Sequence, residues 1–170
     1  MPELCLPNCP SVLDVTQDAV YAMLSDFLAE MAEVFVDPVL MLGGDEVAMK
    51  CGGASAAFAN DPAAAARLLK LGINASSATD YFWKRVTTQV MQSAPLKNKT
   101  LQIWYCPDCH SGDPPLQQMP KETVADVWGW APEFGGRNGF PPPEKHELVL
   151  SIEMGCADTV LFNQKPNTPF

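Results

Sequence analysis

Apolar side chains recur at helical spacing between Thr16 and Phe35, at Val20, Leu24, Phe27, Leu28, Met31, Val34 and Phe35, which predicts an amphipathic helix there. Thr16 suits its N-cap and Asp18 its electropositive first turn, and Pro38 ends the pattern because its ring disfavours helical geometry at Asp37. The period then changes. Val39-Leu40-Met41-Leu42 is apolar at every position, as in a parallel strand covered on both faces, and it stops at Gly43-Gly44-Asp45-Glu46. A second helix is predicted over 61–71, with Asp61 as cap, Pro62 at the first position and Gly72 as the stop. A third is predicted over 79–91, burying Phe82, Val86 and Val90, with Trp83 as a core aromatic. Further strands are predicted over 101–105, 123–130 and 148–152. In the 123–130 strand Val124, Asp126, Trp128 and Trp130 share one face. Gly135-Gly136 and Pro141-Pro142-Pro143 break any helical pattern between the last two. Helices alternating with buried strands predict an α/β fold whose parallel sheet carries its polar and aromatic residues at the carboxyl edge, where such sheets bind ligands.

Length and charge narrow the function. At 170 residues the chain is about one domain, and 47% apolar with 18% charged residues excludes a disordered tail. Eleven basic against twenty acidic residues give a net charge of -9, which argues against nucleic acid or an anionic membrane surface as a partner. The apolar runs fall far short of the ~20 residues that span a bilayer. The opening Met1–Pro10 has neither a basic start nor an apolar stretch, so it reads neither as a signal nor as a transit peptide. Two N-x-S/T triplets, Asn74-Ala75-Ser76 and Asn98-Lys99-Thr100, and six cysteines lean towards a secretory compartment.

Among the cysteines, Cys106-Pro107-Asp108-Cys109-His110 fits a haem-attachment spacing and equally a redox pair, and Cys5, Cys9, Cys106 and Cys109 could be grouped as a zinc site. The first sits after a Trp-bearing strand rather than among cytochrome-like helices. The second would span some 95 residues between its arms. Disulfides or quiet buried thiols are the default, so no cofactor and no metal are expected. His110 and His146 read as loop residues, and no Gly-x-Ser-x-Gly element supports a Ser-His-Asp triad.

Gly43-Gly44-Asp45-Glu46 carries the chemistry. Paired acids after a strand are commonly solvated loop residues, but the double glycine lets the backbone turn without side chains in the way and leaves room for a ligand beside the acids. The segment resembles the His-x-Gly-Gly-Asp-Glu motif of glycoside hydrolase family 20, the β-N-acetylhexosaminidases, with Met41 at the histidine position. Glu33-Val34-Phe35-Val36-Asp37, Lys50-Cys51, Ile103-Trp104, Thr123-Val124 and Val127-Trp128 resemble further family segments, so that the likeness runs from about residue 13 to residue 151.

The resemblance implies a partial (β/α)8 TIM-type barrel, roughly strands 4 to 7 with their connecting helices. It would occupy residues 16–162, between an irregular segment 1–15 and a tail 163–170. It also implies hydrolysis of terminal N-acetylglucosamine or N-acetylgalactosamine from glycans by a retaining mechanism in which the sugar's own 2-acetamido oxygen is the nucleophile. Glu46 would be the general acid and base. Asp45 would orient the acetamido N–H and offset the oxazolinium charge, while Trp104 and Trp128 would wall the sugar pocket. The division of labour requires Glu46 to be raised in pKa by an apolar pocket while Asp45 stays ionised. Secretory, lysosomal or extracellular residence follows from the same likeness.

The chain also departs from the family. Besides Met41, Gly52 replaces a tryptophan, Tyr105-Cys106 replaces Gln-Glu, and Ile152-Glu153-Met154-Gly155 stands where Trp-Tyr-x-Asp is expected, leaving Asp158 out of register. A whole barrel takes ~250 residues, so a dimer or a missing barrel half would have to complete the site. The competing reading is a catalytically inactive or truncated sugar-binding relative.

Overall fold

The computed structural model describes residues 2–44, 47–105, 121–130, 148–154 and 158–164. The N-terminal segment, expected to be irregular, folds into an antiparallel pair, β1 (Cys5–Leu6) and β2 (Cys9–Leu13). Strands this short show no legible alternation. They form because Leu6, Cys9 and Val12 bury themselves against Ala57, Phe58 and Leu68.

Helix α1 spans Asp18–Val34, and its N-cap position is Gln17 rather than Thr16. The Thr16 hydroxyl is engaged elsewhere, donating to Asp14 at 2.6 Å. The helix buries Val20, Tyr21, Leu28 and Ala32. Phe27, Val34 and Phe35, expected on that face, are about half exposed or more. The apolar positions are too many for one contact stripe, and among the described residues only one side of α1 meets a partner. Helix α2 (Ala54–Ala59) leaves no apolar period in the sequence, because most of its positions are alanine. Helix α3 (Pro62–Lys70) starts as expected, with the Asp61 carboxylate accepting from the Ala64 amide at 2.9 Å. It ends at Gly72, whose φ of 72° is the left-handed geometry that closes a helix and lets the Ile73 amide reach the Leu68 carbonyl. Helix α4 (Ala78–Arg85) continues into a wider π-turn over Val86–Val90.

Strands β3 (Val39–Met41), β4 (Thr100–Tyr105), β5 (Val124–Trp130), β6 (Leu148–Met154) and β7 (Asp158–Gln164) form one sheet in that order. Neighbours from β3 to β6 are parallel, as the alternating pattern requires. The last pair departs from the expectation of parallel strands only: β7 runs antiparallel to β6, with Asp158 opposite Met154. The cause is length. Only residues 155–157 separate the two strands, and a parallel return needs a crossover of about a dozen or more residues. The fold is mixed α/β on a largely parallel sheet.

One face of that sheet builds the core. Leu40, Leu101, Ile103 and Ala125 pack against Val20, Tyr21 and Leu28 of α1 and Trp83, Val86 and Val90 of the α4 segment; each large side chain withdrawn from water contributes about 1.5–3 kcal/mol. Trp83 is a core aromatic, 3% exposed. Arg85 binds the two helices together: its guanidinium lies 3.8 Å from the Tyr21 ring centroid and 2.9 Å from the Asp18 carboxylate. Burial pushes the Tyr21 hydroxyl well above the usual tyrosine range, against the opposing charge of Arg85, and that hydroxyl donates to the Val15 carbonyl at 2.8 Å.

Asp14 is fully buried and joins three segments. It accepts from the Thr16 amide and hydroxyl, from Gln17 at 3.0 Å, and from Arg67 of α3, which it also pairs with as an ion. Burial alone would raise its pKa; the hydrogen bonds from Thr16, Gln17 and Arg67 outweigh that and hold it below 3.8. A depressed carboxylate binds fewer protons folded than unfolded, so its contribution is whole above pH 3.8 and disappears as pH falls through the lower folded value. Asp14→Asn should therefore cost about 1–3 kcal/mol in urea unfolding at neutral pH, and its deficit relative to the parent should shrink as the titration is carried into acid. A deficit independent of pH would show that the charge on Asp14 plays no part.

Candidate functional site

Period-two alternation on β3, β4 and β5 sends Leu40, Leu101, Ile103 and Ala125 under the helices. Val39, Met41, Gln102, Trp104, Val124 and Asp126 fall on the opposite face. Strand register orders them in rows. Met41 lies beside Gln102 and Gln102 beside Val124; one step towards the carboxyl edge, Trp104 lies beside Asp126. Trp104 is 45% exposed, an accessible indole at a strand end. Asp126 is 6% exposed and accepts from the Gln102 side-chain amide at 3.2 Å, so a buried carboxylate sits in the row of the tryptophan. The strand pattern had placed Asp126 on that face without giving it a role. What marks it is an acidic side chain buried in the sheet, which only the tertiary structure reveals.

The strand-end loop begins where β3 stops. The Leu42 amide still donates to Gln102 and the Trp104 amide to Gly43, both at 3.0 Å, so the backbone of Gly43 is fixed beside that of Trp104. Gly43 and Gly44 then take φ of 67° and 107°, left-handed values that cost a residue with a Cβ about 1–2 kcal/mol. A Cβ at Gly43 would meet nothing within 4 Å, so glycine is required there by backbone geometry rather than by crowding. Asp45 and Glu46 lie outside the described residues. Ala48, three positions after Asp45, itself has φ 62°. Strain of this kind in a residue with a side chain persists only where the surroundings impose it. Here the Cys51 and Gly53 amides both donate to the Ala48 carbonyl, at 2.8 and 2.9 Å.

A covalent tether completes the frame. Cys51 is joined to Cys9 of β2, with a Cα–Cα distance of 6.2 Å, so the segment following the acids is fastened to the N-terminal hairpin. Cys5 is a free thiol. Gly52 follows with φ 78°, and a Cβ there would come within 3.3 Å of the Ala56 Cβ; the large aromatic that the resemblance would put at this position has no place in this geometry. Met41, 37% exposed, adds an apolar thioether to the open face where an imidazole was expected.

Of the residues singled out from sequence, Gly43 and Trp104 are brought together. Trp128 stands in β5 two positions beyond Asp126 and in register with Ser151; its side chain lies outside the described residues. So do Cys106–His110, the segment with haem-like spacing. Among the described residues no group of three or more His, Cys, Asp or Glu side chains could hold a metal ion, and no helix is long and apolar enough to cross a membrane.

Residues 2–135 match the family described as glycosyl hydrolase family 20, catalytic domain. Among individual proteins, the chain is similar to beta-hexosaminidase subunit A1 of Dictyostelium discoideum, 27% identical over 124 residues that make up 73% of this chain and 20% of that relative. The chain thus spans about one fifth of the length of the curated relative it matches.

The tether gives a direct test of the frame. Replacing Cys9 and Cys51 together by serine should lower unfolding free energy by about 2–4 kcal/mol, because the bond closes a loop across a separation of 42 residues. Proteolysis between Gly44 and Gly53 should accelerate more than elsewhere in the chain. Uniform acceleration along the chain would mean that the disulfide does not hold this loop in particular.

Proposed function

Because the chain belongs to glycosyl hydrolase family 20, we propose that it supplies the acid-bearing part of a β-N-acetylhexosaminidase site that removes terminal N-acetylglucosamine or N-acetylgalactosamine from glycans. The observation that carries this reading is where Gly43-Gly44-Asp45-Glu46 falls. The motif follows β3 in sequence, within the residues that match the family, and its first glycine accepts a hydrogen bond from the Trp104 amide.

In this reading Glu46 protonates the departing glycosidic oxygen and later takes a proton from water. Asp45 accepts the acetamido N–H, turning the carbonyl oxygen towards the anomeric carbon and offsetting the positive charge of the cyclic intermediate. Since the nucleophile is part of the substrate, neither carboxylate attacks, and the rate gain comes from proximity and proton transfer. Trp104 offers an accessible ring face to the C–H groups of the sugar and the acetamido methyl. Trp128 is the second wall. No metal or cofactor enters the scheme.

The barrel is likewise part of the proposal: β3 to β6 would be four consecutive strands, with the missing strands supplied by further chain or by a second subunit. The Cys9–Cys51 bond supports an oxidising compartment, hence residence in the secretory pathway, a lysosome or the extracellular space.

Met41 favours a second reading. A thioether cannot donate or accept as an imidazole does, and a sugar-binding relative without turnover could tolerate it. The two readings separate in one assay on the full-length protein with a chromogenic N-acetylglucosaminide. Hydrolysis that falls by about 10²–10⁴-fold in Glu46→Gln identifies the acid. Saturable binding of N-acetylglucosamine without hydrolysis selects the inactive relative. Turnover unchanged in Glu46→Gln rejects the assignment. Trp104→Ala should weaken the substrate chiefly through KM, by about 5–30-fold for the loss of 1–2 kcal/mol of stacking.

A further inference from the structure

We infer that Asn74 is an N-glycosylation acceptor. The Asn74-Ala75-Ser76 triplet lies between α3 and α4, with Asn74 exposed. Its carboxamide is split between two tasks. The oxygen Oδ1 accepts from the Ser77 amide at 3.0 Å and from the Ser76 hydroxyl at 2.6 Å, closing the turn that leads into α4. The nitrogen Nδ2 makes no hydrogen bond among the described residues. Glycosylation replaces one hydrogen on Nδ2 and leaves Oδ1 a carbonyl oxygen, so both bonds that hold the turn survive the modification.

Chain entropy and burial raise no obstacle. The side chain is already ordered by its own cap, and a bulky neutral group on Nδ2 displaces no packed neighbour because the residue is at the surface. The Cys9–Cys51 disulfide supplies an independent pointer to the compartment in which this chemistry occurs. The donor is a lipid-diphosphate-linked oligosaccharide. The Nδ2 lone pair forms the bond to the anomeric carbon of its terminal sugar. The carbon–oxygen bond to the diphosphate breaks with its electron pair leaving on oxygen, and one Nδ2 proton passes to solvent.

The other triplet is built differently. Lys99 donates its ammonium to the Phe35 and Asp37 carbonyls beyond the end of α1, and the Thr100 amide donates to Pro38. There the middle and third positions of the triplet have a structural task of their own, tying β4 to the α1–β3 connection. In Asn74-Ala75-Ser76 the contacts are local and remain intact after modification.

The test reads mass rather than turnover, so it stands apart from the glycosidase reading. The full-length protein is made in a eukaryotic secretory host and digested with trypsin; the peptide from Leu71 to Lys84 contains Asn74 as its asparagine. The expected result is a hexosamine-bearing peptide that peptide N-glycosidase converts to the aspartate form. Ser76→Ala should abolish the modification with the far-ultraviolet circular dichroism unchanged, and Ser76→Thr should restore it. An unmodified Leu71–Lys84 peptide in the secreted parent, or a modification that persists in Ser76→Ala, overturns the inference.

Discussion

Everything at the strand ends depends on one face of a parallel sheet being buried beneath two helices. Leu40, Leu101, Ile103 and Ala125 have a hydrophobic alternative to water only if α1 and the α4 segment lie across them, and that packing fixes which way every alternate residue points. Once it is made, Gln102, Trp104 and Asp126 have no choice of side, because a strand alternates without exception over these lengths. The opposite face mixes aliphatic Val39, Met41 and Val124 with Gln102, Trp104 and Asp126. Arg85, stacked on Tyr21 and paired with Asp18, keeps the two covering helices in step.

The loop after β3 is held by three devices of different strength. Hydrogen bonds from β4 fix Leu42 and Gly43 to the sheet. Left-handed backbone at Gly43, Gly44 and Ala48 turns the chain sharply on either side of the paired acids. The disulfide then anchors Cys51 to a hairpin that would otherwise be too short to persist, since isolated two-stranded pairs are marginal in water. Asp14 secures the same hairpin from the other side through Arg67 of α3. Left-handed backbone at Ala48 is sustained because its carbonyl accepts from the Cys51 and Gly53 amides and the disulfide ties the segment to the hairpin.

Several exposed apolar residues gather at one edge of the sheet, apart from Leu69 and Leu71 at the end of α3. Phe27, Val34, Phe35 and Val36 on and after α1, with Val39 and Met41 on β3, are all more than a third exposed. β3 is an edge strand among the described residues, and edges of parallel sheets are ordinarily paired or covered.

Much of this was legible in the chain. Periodicity located α1, α3, α4 and the strands β3 to β6, because one-sided burial writes a period of 3.6 or 2 into the sequence. Asp61-Pro62 and Gly72 marked the ends of α3 because a helix end has only a few chemical solutions. Gly43-Gly44 marked the sharp end of β3 because left-handed backbone there admits almost nothing but glycine. Folding in three dimensions decided the rest. It took Thr16 from the helix cap to serve Asp14, turned Phe27 and Val34 outwards, paired Cys9 with Cys51 among several alternatives, reversed β7 against β6, and placed Asp126 beside Trp104. Each of these depends on a partner distant in the chain or on the length of a connection, and a local pattern cannot encode which of two satisfactory partners a side chain will meet.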